Sequence, residues 1–225
     1  MDALFPIYCF GCQKEGCWVC TDCHSVIKIA PLNLCPGCGL ASAGGMTHVA
    51  CRGLTSLDAL VSPYHYANPV LRALLKEYKY HGAVEIEKIL SGFASAAVFK
   101  TRTFFPGKAV VVPMPLHPSR ERMRGFNQSM SLTKSIAQTL SFAVAEPVSR
   151  VRRTSEQALL TTTERNINCR EAFKSINITG EVVLVDDVVT SGATMNAAAK
   201  ALKMAGAARV IGFALAHGSG DRLRS

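Results

Sequence analysis

The chain lacks the two commonest phosphate-binding signatures. No Gly-Lys-[Ser/Thr] closes a Walker loop and no G-x-G-x-x-G is present, so the sequence encodes neither a P-loop nor a dinucleotide fingerprint. It also lacks an apolar run long enough to span a bilayer, although about half of its 225 residues are hydrophobic, so no membrane insertion is expected. The opening MDALFPIYC carries an acid at Asp2 and no basic stretch. It does not read as an export signal, and a cytoplasmic protein is expected. Internal repeats, low-complexity linkers and a recognisable helix-turn-helix are missing too. Acid is scarce: 16 Asp and Glu stand against 25 Lys and Arg, a net charge of +9. That balance favours anionic partners such as nucleic acid, nucleotides or pyrophosphate, without choosing among them.

Cysteine is nearly absent after residue 51. Eight of the nine lie in the first 51 residues, and the ninth is Cys169. With no export signal, such crowding argues for metal rather than disulfides. Cys9 and Cys12, Cys20 and Cys23, Cys35 and Cys38, and His48 and Cys51 are each separated by two residues. This spacing makes tight knuckles whose ligands reach one ion, and closed tetrahedral sites of four N or S ligands are structural zinc sites. Eight ligands therefore imply two zinc ions. Sequential pairing gives Cys9, Cys12, Cys20 and Cys23 in one site and Cys35, Cys38, His48 and Cys51 in the other. A cross-braced pairing has the same spacing, and four thiolates also suit an iron–sulfur cluster. Cys17 is left over. A segment so poor in apolar periodicity needs metal to fold, and residues 1–55 read as a zinc-binding module ahead of a larger domain, 56–225.

The chemistry of the larger domain concentrates in EVVLVDDVVTSGATMNAAAKALKMAGA, Glu181 to Ala207. Val182 to Val185 read as a buried strand ending in Asp186 and Asp187. A small polar loop, Thr190-Ser191-Gly192-Ala193-Thr194, leads into an amphipathic helix closed by Gly206. Bare N–H groups and the positive dipole end at a helix start hold phosphate, and acids at the carboxyl end of a strand face the ligand in open α/β sheets. Elsewhere, Leu57 to Tyr66 reads as a strand. Asn68-Pro69 opens a helix to Gly82, and another helix runs from Val84 to about Phe99. Ala109 to Val112 is a short strand, Gln128 to Leu140 a helix, Ala172-Phe173 the start of a strand or turn, and Val210 to Leu215 a last strand. The basic stretch HPSRERMRGFNQS carries Arg120, Arg122 and Arg124, with Gly125 permitting a close turn and Asn127 capping the next helix. Lys79 reads as a substrate-facing cation or as an ordinary exposed lysine, with the second reading preferred. Alternating strands and helices indicate an α/β fold with a parallel sheet.

Val182 to Thr194 resembles the thirteen-residue signature of type I phosphoribosyltransferases. Over almost the whole chain, the order of features resembles the ComF family, phosphoribosyltransferase-like proteins with a zinc-ribbon N-terminus associated in bacteria with DNA uptake and use. The resemblance is carried by the Cys knuckles, by Tyr78-Lys79-Tyr80-His81-Gly82, by Val112-Pro113-Met114-Pro115-Leu116-His117 and by Arg124-Gly125-Phe126-Asn127-Gln128. Thr154, Gln157 and Leu160 with Arg165, Asn166 and Ala172-Phe173, and the phosphate loop, complete it. The two-site zinc arrangement is closer to the GntX-like branch, with His48 where a Cys is common.

The resemblance implies a type I phosphoribosyltransferase-like parallel sheet flanked by helices. It implies binding of phosphoribosyl pyrophosphate (PRPP) with Mg2+. Asp186 and Asp187 would be the catalytic acids on the ribose. Val188, Val189, Thr190, Ser191, Gly192, Ala193 and Thr194 would form the PRPP loop. Pro115, Leu116, Arg120, Arg122 and Arg124 would face pyrophosphate or, equally, single-stranded DNA. Residues 152–165 would be a closing loop, and the zinc module would stand where other family members place the hood over the base. A homodimer is compatible with such a fold. Two functions stay open on these residues. One is a phosphoribosyltransferase with an unidentified acceptor. The other is a non-catalytic protein that binds single-stranded DNA or the competence machinery.

Overall fold

The structure, a computed structural model, describes residues 6–151 and 172–218. In chain order its elements are α1 (Thr21–Ser25), β1 (Ala59–Val61), β2 (Tyr64–His65), α2 (Pro69–His81), α3 (Val84–Thr101), β3 (Val110–Pro113), α4 (Pro118–Arg124), α5 (Gln128–Leu140), β4 (Ala143–Val144), β5 (Val148–Arg150), β6 (Phe173–Ser175), β7 (Gly180–Val189), α6 (Ala193–Met204) and β8 (Ala207–His217). The main sheet runs β1-β8-β7-β3-β4, with β2 continuing along β8 beyond β1, and its pairings are parallel. β5 and β6 form a separate antiparallel pair. No helix among the described residues is long and apolar enough to cross a membrane.

β7 and β8 are apolar on both faces because helices cover both. Val183, Val185, Ile211 and Phe213 point into a core shared with Leu71, Leu74 and Leu75 of α2 and Ile86 and Leu90 of α3, and Leu132 and Ile136 of α5 join them. Val182, Leu184, Val210 and Ala214 point the other way, onto Met195, Ala198, Ala199 and Leu202 of α6. Residues alternating along one strand thus feed two cores, as the two-residue period of a pleated strand requires.

The helices begin where their caps are. The Asn68 side chain accepts the N–H groups of Val70 and Leu71, and Gly82 closes α2 in the left-handed region, φ 62. Asn127 accepts the Ser129 N–H at the start of α5, and Gly125 turns at φ 78 after α4. α3 continues to Thr101, a little beyond the expected end near Phe99.

Two expectations need correction. The strand foreseen from Leu57 to Tyr66 is broken at Ser62-Pro63. Pro63 has no N–H to give to a ladder, and the carbonyls of Ser62 and Pro63 instead accept Leu32 and Ala30 from the Cys-rich segment. β7 does not end at the acids: Asp186 pairs with Ala214 of β8, and the ladder runs on past Asp187 to Val189. The basic run after His117, to which the sequence assigned no element, is a helix with Pro118 at its first position.

The Cys-rich segment lies against the domain. Phe10, Trp18, Val19 and Ile29 pack on the same core as Val70 and Phe93, and His24 stacks on Phe93 with centroids 4.7 Å apart. Farther along, Thr55 Oγ and the Ser56 N–H donate to Asn196 Oδ1 of α6 at 2.9 and 2.6 Å. Asp58 pairs with Lys203 at 2.7 Å.

Candidate active site and metal centres

Asp186 and Asp187 sit near the carboxyl end of β7, where α2 and α5 converge. Asp186 Oδ1 accepts the Ser129 hydroxyl of α5 at 3.0 Å and the backbone N–H of Asp187 at 2.9 Å. Asp187 is 5% exposed. Its Oδ1 accepts the Val188 N–H at 2.8 Å, and its Oδ2 forms an ion pair with Lys79 Nζ at 2.5 Å. Burial pushes the Asp186 carboxyl up to about 7, and the Asp187 charge pushes the same way; the Asp187 N–H, Lys79 and Ser129 pull back less strongly. Burial alone would lower Lys79, but the adjoining Asp187 carboxylate outweighs it and its pKa is raised. Lys79 is therefore a half-buried partner of the acids. The expectation of an ordinary exposed lysine is overturned.

The loop after β7 has the form a phosphate site needs. Val188 is half-buried and Val189 buried, Thr190 and Ser191 are exposed, and Ala193 and Thr194 open α6. Gly192 is the N-cap at φ 72, and no cap hydrogen bond from its side chain is available. Ser191 Oγ accepts the Ala193 N–H at 3.4 Å, leaving the first turn of α6 free to face an anion. A Cβ at Gly192 would meet nothing nearer than Val189 at 3.9 Å, so glycine is needed there for its left-handed φ.

The turn after β3 is held beside the acids. The Met114 N–H donates to Val185 O at 2.7 Å, and Asn127 Nδ2 donates to Met114 O at 3.1 Å. Pro115 and Leu116 are half-buried. The three arginines of α4 do not act as a set. Arg120 and Arg124 are four residues apart, on one face, whereas Arg122 points elsewhere and is exposed. Arg124 Nη1 donates to Gln128 Oε1 at 3.0 Å, its buried Nε has no hydrogen-bond partner, and its charge is felt at Lys79. The structure thus gathers Asp186, Asp187, Ser129, Lys79 and Arg124 in one corner and leaves Arg122 outside it. Residues 152–165, expected as the closing loop, lie outside the described residues.

Two sequence motifs meet next to this corner. Tyr78 and Phe126 rings are 5.0 Å apart, and Tyr78 OH bonds Ser131 at 2.6 Å and Glu87 at 3.1 Å. A Cβ on Gly82 would stand 2.9 Å from the Phe126 ring, so the glycine ending one motif and the phenylalanine of the other are fitted to each other. They wall a cavity of about 360 Å³ that Asn127, Met130 and Lys134 also line. Sequence reasoning preferred the wrong one of its two readings of Lys79 and missed Ser129. Lys79 had a signal, its place inside the YKYHG motif, but Ser129 had none.

The metal-ligand candidates fall into two groups. The ligand atoms of Cys9, Cys12, Cys20 and Cys23 lie within 4.8 Å of one another, as do those of Cys35, Cys38, His48 and Cys51. This is the sequential pairing, with His48 as a member. The backbone groups fit thiolate chemistry. Gly11 and Cys20 N–H groups approach Cys9 Sγ at 3.4 and 3.3 Å, and the His48 N–H approaches Cys35 Sγ at 3.3 Å. N–H donation, first from Cys12, brings Cys9 down to about 6. Burial raises Cys35, but the His48, Cys38 and Gly37 N–H groups outweigh it and bring it down to about 7. His48 Nε2 lies 3.1 Å from Ala41 O, which turns Nδ1 toward Cys38 Sγ at 3.4 Å, the outer-shell hold that ligating histidines use. The donor sets suit structural zinc. Cys17 belongs to neither group.

Comparison with known proteins agrees with this anatomy. Residues 125–225 match the phosphoribosyl transferase domain. Competence protein F of Haemophilus influenzae is 28% identical, covering 95% of this chain and 98% of its own. The DNA utilization protein YhgH of Escherichia coli is 32% identical over 91% of this chain and 94% of its own. Competence protein ComFC of Bacillus subtilis is 32% identical over 88% and 83%. With relatives this similar along nearly their full length and a phosphoribosyl transferase domain over residues 125–225, the chain belongs to the ComF family of phosphoribosyltransferase-domain proteins.

Proposed function

We propose that the protein binds PRPP with Mg2+ at the end of β7 and transfers its phosphoribosyl group to an acceptor used in handling DNA. The observation that carries this reading is the join of β7 to α6. Two acids stand six and five residues before a left-handed glycine and a helix start with no capping side chain. The loop N–H groups and the Thr190, Ser191 and Thr194 hydroxyls would hold the 5′-phosphate. Asp186 and Asp187 would accept the ribose hydroxyls and favour positive charge developing at C1 as the bond to pyrophosphate breaks. The turn at Pro115 and Leu116, with Arg120 and Arg124, would receive the pyrophosphate. Magnesium, when it is bound with the substrate, screens the charge of the leaving group. The two zinc ions would be structural.

A second reading rests on Arg122, which is exposed and turned away from the acid corner, on the net charge of +9, and on relatives named for competence and DNA utilization. In it the chain keeps the fold but binds single-stranded DNA through its cationic face. Calorimetric titration of the zinc-loaded protein with PRPP and Mg2+ separates the two when repeated on Ser191→Glu. The added carboxylate would occupy the start of α6. It should abolish PRPP binding while leaving stability unchanged or raised by about 0.3–1 kcal/mol. A wild-type protein that ignores PRPP yet binds single-stranded DNA would decide for the second reading.

A further inference from the structure

We infer that Lys79 is the resident counter-ion of the acid pair: its ammonium holds the place beside Asp187 that a divalent cation takes when substrate is loaded, and the two exchange. Lys79 lies in the last turn of α2, where a lysine has every reason to reach for solvent. Its side chain is instead 24% exposed and its Nζ stands 2.5 Å from Asp187 Oδ2. The two oxygens of Asp187 differ. Oδ1 takes the Val188 N–H, whereas Oδ2 is buried, no hydrogen bond of good geometry reaches it, and Lys79 is its partner. That oxygen is built to meet a cation. A carboxylate this buried must be neutralised in the free protein, and Asp186 alongside adds a second negative charge. The other cation of the corner, Arg124, is engaged with Gln128.

An ammonium and a divalent ion cannot both contact one carboxylate oxygen without close repulsion. Arrival of the metal therefore expels Lys79, whose freed ammonium becomes available to the anion that accompanies the metal. The inference rests on the PRPP reading for what the cation accompanies, but the exchange itself can be measured with no PRPP present. Its failure and the failure of that reading are thus distinguishable.

The experiment titrates the zinc-loaded full chain at pH 8.5 with Mn2+ alone, following free Mn2+ by electron paramagnetic resonance. Lys79→Gln should bind one Mn2+ about tenfold more tightly than wild type, because the competing ammonium is gone. Lys79→Arg should stay as weak as wild type, and Lys79→Gln with Asp187→Asn should lose the gain. Equal affinity in wild type and Lys79→Gln, or a gain that survives Asp187→Asn, would overturn the exchange. A measurement on wild type alone guards against a variant that fails to fold. Acylation of the Lys79 amine, read by mass spectrometry, should quicken as Mn2+ is raised, and a rate indifferent to Mn2+ would also overturn the proposal.

Discussion

Replacing Asp186 with Asn should make the protein more stable above neutral pH while removing PRPP binding. Burial first, and the Asp187 charge second, raise the Asp186 carboxyl from its ordinary 3.8 to about 7. Between those values the folded chain keeps a proton that the unfolded chain has lost. Stability therefore falls as pH rises through that window, and the whole penalty is present above about 7. At about 1.4 kcal/mol per pH unit the interval amounts to about 4 kcal/mol. Solvent at the half-open strand end screens part of it, so about 2 kcal/mol should accumulate between pH 5 and pH 8. Asn has the same shape, and its oxygen can still accept the Ser129 hydroxyl and the Asp187 N–H, so the substitution removes the charge and little else. Urea unfolding of both zinc-loaded proteins at pH 5 and pH 8 is the assay. Because both chains carry the same metal sites, the difference in midpoint isolates Asp186. An Asn advantage equal at the two pH values, or a wild type that is the more stable at pH 8, would refute the account of a carboxyl held against burial.

The other predictions concern the flank and the aromatic corner. His48→Ala should reduce bound zinc from two equivalents to about one, counted with a colorimetric chelator, since His48 completes one group of four ligands; a count that stays at two would exclude it as a ligand. Gly82→Ala should cost about 1–3 kcal/mol in thermal or urea unfolding. The alanine would be forced to φ 62 with its Cβ 2.9 Å from the Phe126 ring, so an unchanged midpoint would mean that neither constraint matters.

The sequence disclosed those parts of the fold that short-range chemistry decides. Asn68, Pro69 and Gly82 delimit α2 by capping alone, and Asn127 does the same for α5. The two-residue spacings disclosed the two groups of four side chains that come together as candidate metal ligands, because that spacing is itself knuckle geometry. What stayed hidden depends on tertiary partners. The break at Ser62-Pro63 follows from Leu32 and Ala30 capturing the carbonyls there, and those residues are about thirty positions away. β4 is two residues long and is defined by its pairing with β3 rather than by any pattern of its own. Lys79 looked solvated because it falls off the apolar stripe of α2, and its partner Asp187 is more than a hundred residues later. Ser129 shows the same limit: nothing local separates it from an ordinary serine in the first turn of a helix, yet it donates to Asp186.

Register, rather than any one side chain, places the acids. Asp186 pairs with Ala214 and Val188 with Ala216, so small residues of β8 stand opposite the stretch that carries both carboxylates. The same strand seats α6. A Cβ on Gly212 would come within 2.6 Å of Met195 Sδ and 3.0 Å of Leu60 Cδ1, so α6 lies as close to the sheet as a glycine allows. Met195 is in the first turn of that helix, immediately after the loop that presents the free N–H groups. One strand therefore sets two coordinates. Its pairing with β7 fixes where the carboxylates stand, and its glycine fixes how near the N-terminus of α6 comes to them. Transfer chemistry needs its groups held to fractions of an ångström. An interior strand buried from Val210 to Ala216, with Val210, Ile211, Phe213 and Ala214 all at 0% exposure, is a rigid element from which to hold them. The unfavourable charges are thus confined to the end of the best-packed part of the sheet, where the surrounding core can carry their cost.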